Sequence, residues 1–296
     1  MPARAARERR RVGADLPGGC GAIGAILAGM DSIDVIHLRG ADRHRAAALP
    51  FSVLPVGSLE YHGDHAPFGT DATLAGGFAQ RLAGRRPCLV FPTIAYAFVP
   101  RLTRDHGPGA GVAPDVYLAY LSEVLSGVLS FGPRRILVVN GHSENQHPLR
   151  LAAESLYGRE PDVSVLIVNW WKLAQTPWRD DPADPWHEGG GHGHGGPLEI
   201  SVTGALDADG VEVPGGTALS SPDVPYEAPW WRGAAQVVGL GQAPAGFAGY
   251  HGRVSAIDLE RGRAVADQVT EALARLVDDW LSRASGDARR LAEDDV

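Results

Sequence analysis

Short, continuous runs of apolar and β-branched residues alternate with helical periodicity through the middle of this 296-residue chain. That alternation limits its fold more than any other feature. "FSVLPVG" (51–57), "CLVFPTI" (88–94), "RRILVVNG" (134–141) and "VSVLIVNWW" (163–171) are apolar on both alternating sides, as strands covered on both faces must be. Between them lie helical patterns at 71–84, 113–132 and 145–158. Asp71 is the expected N-cap of the first, and Val116, Tyr120, Val124 and Val128 are spaced as one helical stripe in the second, beside Leu121, Leu125 and Leu129. Pro148 falls in the first turn of the third, where proline is tolerated. A βαβα order implies an α/β fold with a mainly parallel central sheet. Ligand sites of such sheets lie beyond the carboxyl ends of the strands.

From 172 to 252 the chain is rich in Gly, Pro and Trp, and "LEISVTG" within it reads as a strand. Residues 259–283 read as a closing amphipathic helix. These features define a single domain over 31–285, with a poorly ordered extension at 1–30 and a polar tail at 286–296. The extension starts basic and turns apolar, as a signal peptide does. Asp15, Pro17 and its glycines interrupt that pattern.

The net charge of −8, without a basic stripe, argues against nucleic-acid binding. No apolar run approaches the ~18 residues of a membrane span. The two cysteines, Cys20 and Cys88, form no CxxC pair and no disulfide framework, which fits a reducing cytoplasm. Thiolates are therefore not the main ligands of any bound metal.

Eight of the eleven histidines fall between His62 and His194, six of them in three ionisable clusters. The first is Glu60, His62, His65 and Asp71, just after the strand at 51–57. The second is His142 and Glu144, after the strand at 134–141. The third is His187, His192, His194 and Glu199 in "HEGGGHGHGGPLE". Residues i and i+2 of an extended chain point to one side, so each of the two strand ends would present an imidazole beside a carboxylate. Glu60, His62, Asp71, His142 and Glu144 form a mixed N/O set suited to Zn²⁺ or Mn²⁺. Five ligands exceed the three of one open catalytic zinc, so a carboxylate-bridged pair of ions is expected. By composition alone, Asp64 and His65 are rival ligands. The Gly-rich loop at 189–196 is a candidate gate, and His194 and Glu199 are suited to proton transfer, with Glu199 orienting or ligating. The G-x-G-x-x-G at 191–196 lacks the strand–helix context of a dinucleotide site. Trp178, Trp186, Trp230 and Trp231 lie in loop-like sequence and could wall a cleft or pack in the core.

"LPVGSLEYHGDHAPFGTDATLA", "VNGHSEN" and "HGHGGPLEIS" together resemble the motifs of the creatininase (creatinine amidohydrolase) family, in order, along roughly 31–285. The resemblance implies a three-layer α/β/α fold, two divalent ions per chain (Zn and/or Mn), hydrolysis of a cyclic amide or related bond of a small molecule, and a homo-oligomer, in many members a hexamer. It also implies that Glu60, Asp71 and His142 hold one ion. His62, Asp71 and Glu144 would hold the other, with Asp71 bridging. His194 would be the general acid/base and Glu199 its carboxylate partner. Tyr61 stands where the family usually has Gln, Ala66 where it has Leu, and Ser143 where creatininase has an aromatic substrate contact. Tyr61, His65, His106, Ser143 and Trp186 are the expected substrate contacts. Other members of the family deformylate a nucleotide, trim a peptide precursor or cleave a C–C bond in a dehydro-inosose. A catalytically inactive binding protein on the same fold is the alternative of another class.

Overall fold

The structure is a computed structural model that describes residues 30–175, 181, 183–187, 193–215, 219–224, 238 and 246–293. The extension before Met30, with Cys20, lies outside them, as do His192, Trp178, Trp230 and Trp231. In chain order the main elements are β1 (Ile33–Asp34), α1 (Arg43–Ala47), β2 (Ser52–Val56), α2 (Thr70–Ala83), β3 (Leu89–Val90), α3 (Arg101–Arg104) and α4 (Pro114–Leu129). There follow β4 (Arg135–Asn140), α5 (Gln146–Arg159), β5 (Ser164–Asn169), α6 (Trp170–Leu173), α7 (Pro197–Leu206) and α8 (Leu259–Glu293).

The five strands form one parallel sheet in the order β1-β3-β2-β4-β5. Both faces are buried, and the period of two along each strand sorts side chains between them. Phe51, Val53, Leu137 and Val139 point to one side, where they meet Phe78 of α2, Val202 of α7 and Val269 of α8. Leu54, Val56, Ile136 and Val138 point to the other, against Tyr117, Leu121 and Leu125 of α4 and Leu149 and Leu156 of α5. The result is the three-layer α/β/α arrangement that the alternation of elements calls for.

Several boundaries differ from the sequence reading. The strand expected over 88–94 pairs only at Leu89–Val90, with an isolated bridge from Ile94 to Val56. Pro92 lies between them and has no N–H to give to a ladder. Trp170 and Trp171, expected to end a strand, form one helical turn. The stripe expected on α4 is rotated: Tyr117, Leu121, Leu125 and Val128 are buried, while Val116 and Tyr120 face outward.

"LEISVTG" is helix α7 and not a strand. A short apolar run does not distinguish a strand from a helix buried all round. Here Pro197 starts the helix after the extended Gly196, and Ile200, Val202 and Thr203 are all buried. Helix α8 runs on to Glu293, through most of the expected polar tail. Arg81, Arg85 and Arg86 at the end of α2 pair with Asp267, Glu271 and Asp278 of α8. No helix among the described residues is long and apolar enough to cross a membrane.

Phe78 is fully buried and stacks on Trp170, with ring centroids 5.5 Å apart. Phe78→Ala should lower unfolding free energy by ~3–5 kcal/mol, measured by urea denaturation monitored through tryptophan fluorescence.

Candidate metal centre

Strands β2 and β4 end level with each other, Val56 opposite Asn140. A glycine follows each, and both press on the first turn of α2. A Cβ on Gly57 would lie 2.5 Å from the Cα of Ala72, and one on Gly141 only 2.1 Å from the carbonyl oxygen of Asp71. Only glycine permits that approach, and it carries Asp71 to the edge of the sheet. Asp71 is not the N-cap; Gly69 is, and Asp71 sits within the first turn, where the helix dipole still favours a carboxylate. The two strand ends are laced by Asn145. Its Nδ2 donates to the carbonyl oxygen of Gly57 (3.0 Å) and to Oδ1 of Asn140 (3.2 Å), and its Oδ1 accepts from the hydroxyl of Tyr117 (2.9 Å). Asn140 Oδ1 also accepts the backbone N–H of His142.

Around Asp71 the ionisable side chains form overlapping groups whose ligand atoms lie within 4.8 Å of one another. One is Glu60, Asp71 and His142; another is His62, Asp71 and Glu199; a third joins Glu60 and His62 to His194. Asp71 belongs to the first two with different oxygens. Its Oδ2 is 2.9 Å from His142 Nδ1, and its Oδ1 is 3.3 Å from His62 Nε2.

The tautomers point inward. His62 Nδ1 is 2.9 Å from the carbonyl oxygen of Glu60 and donates to it, which leaves Nε2 bare. His142 Nε2 donates to the carbonyl oxygen of Phe98 (3.0 Å), leaving Nδ1 facing Asp71 and, at 3.2 Å, Glu60 Oε2. His62 Nε2 and Glu60 Oε2 are buried atoms without a hydrogen-bond partner. Imidazole nitrogens turned on buried carboxylate oxygens need a cation between them, a proton or a metal ion. This donor set fits divalent metal ions, with ring orientation fixed by the outer hydrogen bonds as metal-bound histidines require.

The electrostatics agree. Burial alone would lower the pKa of His62, but Asp71, Glu199 and Glu60 outweigh it and raise it to about 10. Burial likewise opposes the charged form of His142, and Glu60 and Asp71 raise its pKa to about 9. Burial would raise Asp71, yet His62 and His142 hold it well below the usual carboxylate range. The cluster calls for positive charge, as protons or as metal. His194 behaves oppositely: burial and the neighbouring His62 push it down to about 4. The two rings are tilted by 34° with centroids 4.1 Å apart, so both cannot comfortably be cations. His194 Nε2 lies 2.8 Å from the carbonyl oxygen of Tyr61. Burial raises Glu199 to about 7, and its Oε2 accepts the N–H of Gly195 at 2.8 Å.

Glu144, expected as a ligand, is not brought into these groups. The chain curls into a 3-10 turn over Ser143–Asn145 directly after His142, so the side-to-side alternation of a strand stops there. Glu199 instead lies 3.7 Å from His62 Nε2. Trp186, expected in the cleft, is a core residue: it is buried, its indole N–H donates to the carbonyl oxygen of Ala256, and Arg261 lies 4.0 Å over its ring. His65 is buried, with Nε2 donating to the carbonyl oxygen of Gly195 (2.9 Å). Tyr61 is half-buried and donates to Asp64 Oδ1; His106 and Ser143 are exposed, His106 edge-on to Phe247. Asp64, the rival ligand, is exposed as well.

Two supporting residues escape the sequence reading. Ser58 donates to Asp71 Oδ2 at 2.6 Å, and Thr103 donates to Glu60 Oε1 at 2.5 Å. Ser58 stands two residues before Glu60 and was open to the same spacing argument. Thr103, on α3, has no local signal in its surroundings.

Comparison with known proteins points one way. Residues 41–277 match the family model Creatininase, described as creatinine amidohydrolase. The chain is 29% identical to a creatinine amidohydrolase of Pseudomonas putida over 171 residues, 54% of this chain and 66% of that protein. It is 26% identical to a 3-dehydro-scyllo-inosose hydrolase of Thermotoga maritima over 178 residues, 60% of this chain and 52% of that one. The matches thus span less than two thirds of either relative. A creatininase crystal structure superposes with a TM-score of 0.67 at 22% identity, covering 84% of this chain and 98% of that one. A manganese form of creatininase and a zinc–zinc form of a creatininase point mutant give 0.66 and 0.64, each at 22% identity over 85% of this chain and 99% of theirs. At these identities the structural likeness is one of fold.

Thr103→Val removes the hydroxyl donor from a buried carboxylate oxygen. It should cost ~1–3 kcal/mol of stability in chemical denaturation of the metal-free protein, whereas Thr103→Ser should cost much less.

Proposed function

The chain belongs to the creatininase family of amidohydrolases, and on that premise we propose that it is a metal-dependent hydrolase of a small molecule with an amide, formamide or cyclic amide bond. The observation that carries this reading is the sharing of Asp71. One oxygen faces His142 and the other His62, as a carboxylate bridging two ions must. Glu60, Asp71 and His142 would hold one ion. His62, Asp71 and Glu199 would hold the other, with Glu199 in the role the motifs suggested for Glu144. When bound, such a pair of ions, zinc or manganese, supplies Lewis acidity and an activated water at neutral pH.

The rest of the chemistry falls to the chain. His194 is the proton carrier. With Nε2–H engaged by the Tyr61 carbonyl, Nδ1 holds the lone pair, and a pKa pushed to about 4 keeps the ring neutral at pH 7. It accepts a proton on Nδ1 and delivers it to the departing nitrogen. The Tyr61 carbonyl fixes the ring's orientation, with the His62 ring in contact, centroids 4.1 Å apart. Half-buried Tyr61, next to His62, and exposed His106 would be substrate contacts, and Ser143 would offer a small polar contact where creatininase itself carries an aromatic one. That exchange favours a substrate other than creatinine. The acidic chain and its cysteine usage fit the cytoplasm. Exposed Val116 and Tyr120 on α4, with Leu151 and Tyr157 on α5, support association between copies.

Metal analysis of purified protein should find about two ions per chain, and Asp71→Ala, which strips both groups, should lose them. A single ion with unfolding on chelation would point to a structural site instead. His194→Ala should keep its metal and lose 10²–10⁴-fold in kcat; near-normal turnover would remove His194 from the chemistry. The substrate class is to be read from a screen of metal-loaded protein against lactams, formamides and cyclic diketones, the last testing the C–C cleavage suggested by the Thermotoga relative.

A further inference from the structure

Gly195 joins the loop carrying His194 to the helix carrying Glu199. It adopts a left-handed backbone, φ +68°, and a Cβ there would lie 2.4 Å from the carbonyl oxygen of His62 and 2.7 Å from the Cβ of Tyr250. Glycine is therefore required, and with it comes freedom for the peptide planes on either side to rotate. Both planes are nevertheless tied. The N–H of Gly195 donates to Glu199 Oε2 (2.8 Å), and its carbonyl oxygen accepts from His65 Nε2 (2.9 Å).

His65 is itself locked. It has no exposed surface, its ring meets Tyr250 edge-on at 5.1 Å, and its carbonyl oxygen accepts from Glu212 N at 3.0 Å. The Tyr250 hydroxyl is anchored on the carbonyl oxygen of Pro222. Its other ring nitrogen, Nδ1, has no hydrogen-bond partner. All of the ring's directional bonding is therefore spent on Gly195. Its distance from the Asp71 groups excludes it as a ligand there, since it belongs to none of them.

We propose that His65 is a positioning residue, which through the Gly195 peptide holds Glu199 in place as the ligand of the ion shared with His62 and Asp71. This rests on the reading of Glu199 as a ligand given above. Without the bond from His65, the plane after Gly195 is held only by the N–H of Gly196 on the carbonyl oxygen of Gly193. The turn at Gly195 loosens, the plane before it loses its fixed setting, and the Gly195 N–H no longer aims the Glu199 carboxylate at His62. Among the described residues no hydrogen bond joins His65 or Gly195 to Glu60, Asp71 or His142, so the group those three form should feel its loss far less.

The test is a Mn²⁺ titration of the metal-free full-length chain, read by calorimetry and by the electron paramagnetic resonance of single and coupled Mn²⁺. The wild type should bind in two steps. His65→Leu, apolar and of similar size, should keep the first step and weaken the second by about 10–100-fold, the usual effect of removing an outer-shell partner. His65→Gln should restore most of the loss, because its amide nitrogen reaches the position of imidazole Nε2. His65→Asn reaches only the position of Nδ1 and should behave like His65→Leu; it also stands in if His65→Leu does not fold. Two unchanged steps in His65→Leu or His65→Asn would overturn the proposal while leaving the dinuclear reading intact. Equal weakening of both steps without rescue by His65→Gln would overturn it as well. A wild type that takes up one ion only would sink the dinuclear reading and this proposal with it.

Discussion

A carboxylate taken out of water is unstable by several kcal/mol unless cations or donors surround it, and the carboxyl edge of this sheet is arranged around one such group. Asp71 is 2% exposed. Ser58 supplies a hydroxyl donor to it, and two imidazoles approach its two oxygens from opposite loops. Each imidazole gives one N–H to a backbone carbonyl and turns its other nitrogen on the carboxylate. The arrangement is strained as a set of hydrogen bonds and coherent as a ligand cage. It also dictates the neighbourhood: glycines where the strands end, an asparagine lacing the two loops, and a threonine capping the outer oxygen of Glu60.

The same charge logic separates the two classes of histidine. His62 and His142 are surrounded by carboxylates and hold on to positive charge. His194, buried against His62, gives it up, because burial and the His62 charge outweigh the pull of Glu60 and Asp71. One site thus contains imidazoles suited to bind a cation beside one suited to accept a proton, a division set by a few ångströms of placement.

Much of this was legible in the sequence. The strands β2 and β4 appear as apolar β-branched runs because both faces of a parallel sheet are buried, and β5, at the sheet's edge and half-buried, carries a similar run. Glu60, His62, Asp71 and His142 were open to inspection because chemistry in such sheets gathers at strand ends. Where the reading failed, local geometry overrode a valid rule. The i, i+2 argument for Glu144 presumed an extended chain, and the chain is helical there. Val202 and Thr203 favour strands in isolation, but α7 is enclosed between α2 and α8, and burial outweighs propensity. Thr103 and the carbonyl of Phe98 reach the site from some forty residues along the chain, and no local pattern encodes such a contact.

The pressure of Gly141 on the first turn of α2 has a consequence for anyone mapping this protein by mutation. A loss-of-function map would rank Gly141 beside the ligands, although it has no side chain and offers no donor to the cluster. Its contribution is empty volume: the space of one methyl group, left free so that a backbone carbonyl can occupy it. Read as chemistry, such a position would be misassigned as catalytic. Read as geometry, it marks how tightly the sheet must close on the helix for Asp71 to face both imidazoles at once.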